Sequence, residues 1–125
     1  MSYPADLKYT KEHEWIRVDG ANGAIGITDF AQQQLGDVVF VELPDIGSTI
    51  TAGKVFGTIE SVKAVSELFA PVTGEVVETN ASLKDRPDHV NSHPHETWMV
   101  KVKLANPGEI DSLMDAAAYE HLIQK

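Results

Sequence analysis

The sequence predicts a mainly β fold: a compact barrel or sandwich of short strands with short helices and a C-terminal helix. Three observations carry this. Apolar and polar residues alternate over short runs, the period of a half-buried strand. Turn clusters rich in Gly, Pro, Asn and Asp separate the runs at roughly 8–12-residue spacing. Beyond Asn106-Pro107-Gly108 the apolar period changes to that of a helix.

Each element follows from its residues. Residues 14–18 alternate, with Ile16 and Val18 on one side and Trp15 and Arg17 on the other, which predicts a half-buried strand. Asp19-Gly20-Ala21-Asn22-Gly23 predicts a turn, and residues 24–27 a second strand. Thr28 or Asp29 can cap a short helix through Leu35 that Gly36 ends. Residues 38–43 form a strong apolar strand, and Pro44-Asp45-Ile46-Gly47 turns the chain. Residues 54–59 and 65–69 read as partner strands on either side of Lys63. Pro71 and Gly74 flank a turn, and residues 74–78 form a strand. Residues 82–90 are irregular or a short helix. Trp98, Val100, Val102 and Leu104 alternate with Met99, Lys101 and Lys103, predicting a last strand with one solvated face. Asp115 can cap a helix whose apolar face is Ala118, Tyr119, Leu122 and Ile123.

The length of 125 residues suits one domain, 1–125, and suffices for a core without metal or disulfide. Hydrophobic residues make up 42% and charged residues 23%, which argues for a globular chain over a disordered one. Acidic residues outnumber basic ones 19 to 10, for a net charge of −9. Phosphate backbones and anionic membranes repel such a chain, so neither nucleic acid nor membrane is an expected partner. The acidity suits docking to basic protein surfaces, and equally an ordinary acidic soluble protein. No cysteine is present, which excludes disulfides, thiol catalysis and Cys-based metal sites. No apolar run approaches the ~20 residues of a membrane span. Residues 1–10 show neither a secretory nor a transit pattern, so the expected location is the cytoplasm. Gly-x-Ser-x-Gly, Walker, dinucleotide and His-Glu-x-x-His patterns are absent, so the chain does not read as an enzyme.

One segment stands out. From Gly57 to Gly74, two apolar strands flank a single lysine, Lys63, and Ala70-Pro71-Val72-Thr73-Gly74 follows. A lysine at a hairpin tip projects from the body, and its stem can serve as a tether. Lipoate in amide linkage would extend the tether to a reach of roughly 12 Å and remove the charge. On these residues alone the simpler reading, an ordinary surface lysine, is preferred. The Val62-Lys63-Ala64 tip also lacks the Asn-Gly or Asp-Gly of a strong hairpin signal.

Longer blocks decide between these readings. Glu60-Ser61-Val62-Lys63-Ala64 with Ala70-Pro71-Val72-Thr73-Gly74 resembles the lipoyl attachment segment of the H proteins of the glycine cleavage system. The stretch from Lys8 to Trp15, that from Ile25 to Pro44, Val90-Asn91-Ser92 and Trp98-Met99 resemble further blocks of that family. The resemblance runs almost end to end, in register. It implies the barrel-sandwich hybrid of lipoyl and biotinyl domains. It implies a monomeric carrier with lipoate on Lys63. It also implies four partners. A lipoylating enzyme attaches the arm. A pyridoxal-phosphate-dependent glycine decarboxylase loads the aminomethyl group. A tetrahydrofolate-dependent aminomethyltransferase removes it. A dihydrolipoyl dehydrogenase reoxidises the dithiol. The family would use Glu60, Ser61, Val62, Ala64 and Glu67 for recognition by the lipoylating enzyme or for the groove of the arm. Glu12 and Glu14 would line that groove, where a carboxylate can hydrogen-bond a protonated aminomethyl group. For these glutamates the plainer alternative is solvated surface charge.

Two alternatives share the fold. A biotin carrier would place methionines beside the lysine, where this chain has Val62 and Ala64. An H-like protein could instead relay lipoate to other complexes. The family usually has Asn-Ser-x-Pro-Tyr-Gly-x-Gly-Trp-Met where this chain has Asn91-Ser92-His93-Pro94-His95-Glu96-Thr97-Trp98-Met99. The loop is one residue shorter, lacks the glycines and puts His95 in place of tyrosine, which leaves its conformation open. His89, His93 and His95 raise the question of a metal site. With Pro94 between two of them, no Cys and no helix to set geometry, no metal is expected.

Overall fold

The computed structural model of the chain describes residues 3–124. Met1, Ser2 and Lys125, which belong to the range 1–125 and to the reading of residues 1–10, lie outside the described residues. The first hairpin pairs β1 (Lys8–Tyr9) with β2 (Glu14–Asp19), and β2 turns through Gly20-Ala21 into β3 (Asn22–Ile27). Thr28 caps α1 (Asp29–Leu35) by accepting a hydrogen bond from Ala31 N–H, and Gly36 closes the helix with φ 78°. Next come β4 (Val38–Glu42), β5 (Thr49–Ile50), β6 (Val55–Ser61), β7 (Val65–Phe69) and β8 (Gly74–Thr79). A 3₁₀ turn (Ala81–Lys84) and α2 (His89–Ser92) lead to β9 (Val100–Leu104). A second 3₁₀ turn (Pro107–Ser112) precedes α3 (Ala116–Ile123), capped by the Asp115 side chain on Ala118 N–H.

The described strands form two antiparallel sheets. One has the order β1-β2-β3-β9-β8-β5 and the other β4-β6-β7. Their inner faces share one core. Ile16, Ile25, Val76, Val100 and Val102 come from the first sheet, and Val41, Ile59 and Leu68 from the second. Each such side chain contributes about 1.5–3 kcal/mol through burial.

A second cluster of buried residues explains where the sequence reading of β2 falls short. Leu7, Tyr9, Trp15 and Tyr119 pack together on the other side of the first sheet. The start of β2 is therefore buried on both faces, Ile16 in one cluster and Trp15 in the other, while Val18 at the far end is 40% exposed. Alternation cannot reveal this, because it assumes one wet face. Trp15 lies opposite Gly26 on β3. A Cβ on Gly26 would stand 2.5 Å from the indole, so the close packing requires glycine there.

Other differences have similar causes. Met99 is fully buried rather than on a solvated face, because the chain only becomes regular strand at Val100. Trp98 lies half-buried with Lys101 Nζ 4.6 Å from its ring centre. On α3, Ala118 is exposed, and Ala116 joins Tyr119, Leu122 and Ile123 against the second cluster. The strands β1 and β5 are too short to carry a period. The stretch of residues 82–90 resolves into parts of the 3₁₀ turn and of α2.

Candidate functional site: the Lys63 hairpin and its groove

The β6–β7 hairpin carries Lys63 at its tip. Glu60 pairs with Val65, and Ser61 N–H donates to Ala64 O at 2.8 Å. The tight turn has neither Asn nor Gly. Instead Ser61 Oγ accepts from the N–H of Lys63 and of Ala64, both at 3.1 Å. A serine oxygen thus takes the place of special turn backbone. From the other side, Asp37 O accepts from Val62 N–H at 3.0 Å and ties the tip to the loop after α1. That loop is held by Asn91. Its Oδ1 accepts from Val38 N–H at 2.8 Å, and its Nδ2 donates to Gly36 O at 2.8 Å and Gln32 Oε1 at 2.9 Å. The lysine stem rests on Gly36, where a Cβ would stand 3.1 Å from Lys63 Cε. Lys63 is exposed and makes no ion pair among the described residues.

Beside the hairpin lies a groove of about 250 Å³. Its apolar floor comes from Ile27, Ile59 and Leu68, and one wall from Ala31 and Leu35 of α1. Glu12, His13 and Glu14 form the opposite wall, while Ala64 and Glu67 belong to the hairpin side. So Glu12, Glu14, Ala64 and Glu67 meet at one cavity. Glu60 does not: it points outward on the sheet, in a row between Phe40 and Val65. Ser61 and Val62 shape the tip rather than the groove.

Glu14 is 2% exposed. It accepts from the Thr10 hydroxyl at 2.6 Å and from Phe69 N–H at 3.2 Å. Among the described residues it makes no ion pair, and burial pushes its carboxyl up to about 7 against those two hydrogen bonds. Glu14 also borders a larger cavity of about 500 Å³ between Tyr9, Phe69, Pro71, Leu113 and Leu122.

His13 escaped the sequence reading. It has φ 74°, the left-handed region, and closes the turn between β1 and β2. Its Nδ1 lies 2.8 Å from Tyr119 Oη, which lies 2.7 Å from Thr28 Oγ1. Its ring stacks on Phe30 at 4.8 Å, and burial lowers its pKa. No glycine marks the turn, so composition offers no signal. Asn91 and Gly36 were within reach, since both lie in blocks that carry the resemblance.

The altered loop is well anchored. Trp15 Nε1–H donates to Pro94 O at 2.9 Å. His95 Nε2 accepts from Asp29 N–H at 3.1 Å, satisfying a free donor at the start of α1. Among the described residues no group of three or more His, Asp or Glu is placed to hold a metal ion. No described helix is long and apolar enough to cross a membrane.

The comparisons with known proteins meet this geometry. The family model described as "Glycine cleavage H-protein" matches residues 7–125. The chain belongs to the glycine cleavage H-protein family. A glycine cleavage system H protein of Koribacter versatilis is 61% identical, over 96% of this chain and 93% of that one. One of Brevibacillus brevis is 55% identical over the whole of both chains. A crystal structure of a glycine cleavage system H protein from Mycobacterium marinum superposes with a TM-score of 0.86 at 39% identity, over 95% of this chain and 97% of that one. The mainly β architecture with its C-terminal helix is thus that of an H protein.

Proposed function

We propose that this chain is a single-domain lipoyl carrier of a glycine cleavage system, with lipoate in amide linkage to Lys63. The observation that carries this reading is the tip itself. Family membership calls for a carrier, and Lys63 stands exposed on a braced turn with a groove at its foot.

The residues suit the group. An apolar floor matches a hydrocarbon chain and a dithiolane, and carboxylates on the wall match a protonated amine. When bound, lipoate supplies a disulfide that takes up the aminomethyl carbon and the reducing equivalents. The protein supplies the rest. Ser61 and Asp37 hold the tether's base, α1 and the hairpin exclude water from one side, and Glu14 offers a buried acceptor that a cation would favour in its charged form. Glu12 adds an exposed carboxylate at the rim, and Glu67 borders the groove along the edge of the hairpin. Chemistry belongs to the partners: a lipoylating enzyme, a pyridoxal-phosphate-dependent glycine decarboxylase, a tetrahydrofolate-dependent aminomethyltransferase and a dihydrolipoyl dehydrogenase. The carrier supplies a high local concentration of the arm. We place it in the cytoplasm as a monomer.

Incubation with a lipoylating enzyme, lipoate and ATP tests this. Intact mass should rise by one lipoyl group, and peptide mapping should locate it on Lys63. Lys63→Arg should abolish loading with the melting temperature unchanged, and loading retained in that variant would sink the assignment. Glycine-dependent bicarbonate exchange with the decarboxylase then separates glycine cleavage from a lipoate relay.

A further inference from the structure

We propose that His89 and His93 form a two-imidazole site for a divalent transition-metal ion of the zinc, nickel and copper class. The bound ion clamps α2 and, through Asn91, the loop beside Lys63. The site is independent of what Lys63 carries.

The sequence offers histidines in a loop and no helix to set their geometry. The structure supplies the helix. His93 N–H closes the last turn of α2 on His89 O at 2.8 Å. The two histidines are thus four residues apart on one turn, and side chains at that spacing share a face. Their ring centres lie 6.2 Å apart with the planes at 88°. Two imidazoles on one tetrahedral ion, each with a metal–nitrogen bond of about 2.0–2.1 Å, have ring centres about 5 Å apart. A closure of about 1 Å, available from small side-chain rotations, completes the pair. His95 does not join them. Its Nε2 accepts from Asp29 N–H at 3.1 Å, so that lone pair is taken.

Hydrogen bonds prepare the pair. His89 O also accepts from Thr97 Oγ1 at 3.1 Å, and His93 O accepts from Thr97 N–H at 2.9 Å and Glu96 N–H at 3.1 Å. Ser92 Oγ donates its one hydrogen to Asp88 O at 3.3 Å, and so accepts at 2.8 Å from Nδ1–H of His93. Nε2 of His93 then keeps its lone pair, the form that ligates a metal, with Ser92 orienting the ring from behind. His93 is exposed and His89 half-buried, so water can fill the remaining positions on the ion. Arg86 is neutralised by Asp88 through two bonds of 3.2 Å, and the net charge of −9 favours a cation. Occupancy has a consequence at the tip. A helix of four residues does not persist by itself. Asn91 lies between the two histidines and holds Val38 N–H and Gly36 O. An ion on both imidazoles opposes unwinding of α2 and keeps Asn91 in place.

The test is calorimetric titration of the untagged full chain with zinc chloride and, separately, nickel chloride. One ion should bind per chain. His89→Gln and His93→Gln should each abolish binding at micromolar metal, and Ser92→Ala should weaken it about tenfold. His121→Gln serves as control: this histidine is exposed on α3, and its variant should bind as wild type. Circular dichroism and melting temperature confirm that the variants fold. Amide exchange reads the clamp. With zinc at about ten times its dissociation constant, exchange of the Val38 amide should slow about tenfold in the wild type and stay unchanged in His93→Gln. Absence of binding up to millimolar metal, or equal affinity in every variant, overturns the site. Binding that leaves Val38 exchange unchanged in the wild type overturns the clamp.

Discussion

Glu14 concentrates the chemistry of the groove in one residue. Its folded pKa near 7 lies above the ordinary 4.5, so the folded chain holds this proton more tightly than the unfolded one. The resulting stabilisation is complete below pH 4.5 and is lost as the pH rises to about 7, a swing of about 3 kcal/mol. His13 and His95 act in the opposite sense. Burial lowers both, so their contribution falls as the pH drops below 6.5. Subtracting a variant isolates the glutamate. In urea titrations, Glu14→Gln should gain on the wild type by up to about 3 kcal/mol between pH 5 and pH 8. A difference that stays flat would mean Glu14 is ionised throughout. Gly26 is a second sensitive residue. Gly26→Ala forces a methyl into the Trp15 indole and should cost about 1–3 kcal/mol, read as a lowered denaturation midpoint.

At the scale of elements, the hairpin tip shows how a side chain can replace a turn motif. Ser61→Ala removes the acceptor for two backbone N–H groups and should cost about 1 kcal/mol. Amide exchange at Lys63 and Ala64 should speed up while the core amides keep their protection. This tip also marks how far the elements could be read. The helix α1 was legible at both ends, since Thr28 and Gly36 are strong local signals. The pairing of residues 65–69 with the strand before Lys63 was legible from apolar runs. The turn between them was not, because a serine that binds two later N–H groups looks like any polar residue. The left-handed turn at His13 was hidden for the same reason, as its conformation is imposed by packing against Tyr119 and Phe30. Among the candidate site residues, Glu12, Glu14 and Ala64 converge on the groove and Glu67 borders it from the hairpin, while Glu60 faces outward. Sequence distance could suggest the set but not the side of the sheet, which depends on register.

Across the whole molecule, the last helix takes part in the site. Tyr119 of α3 stacks on Tyr9 at 4.8 Å and reaches His13 on the groove wall and Thr28 at the cap of α1. Tyr119→Phe removes the hydroxyl that bonds both His13 Nδ1 and Thr28 Oγ1, leaving Thr28 only its cap bond from Ala31 N–H. It should cost about 1–2 kcal/mol in chemical denaturation and loosen the groove wall, seen as shifted His13 ring resonances. The sheet order adds a further consequence. Strand β9 lies between β3 and β8, near the middle of the six-stranded sheet although late in the chain. A ribosome that has not yet released the last part of the chain therefore displays β3 and β8 as two open edges with no strand between them. Premature termination would leave those edges free to pair with other chains rather than with each other. The order of strands thus makes a finished polypeptide a condition for a carrier, long before any enzyme inspects its lysine.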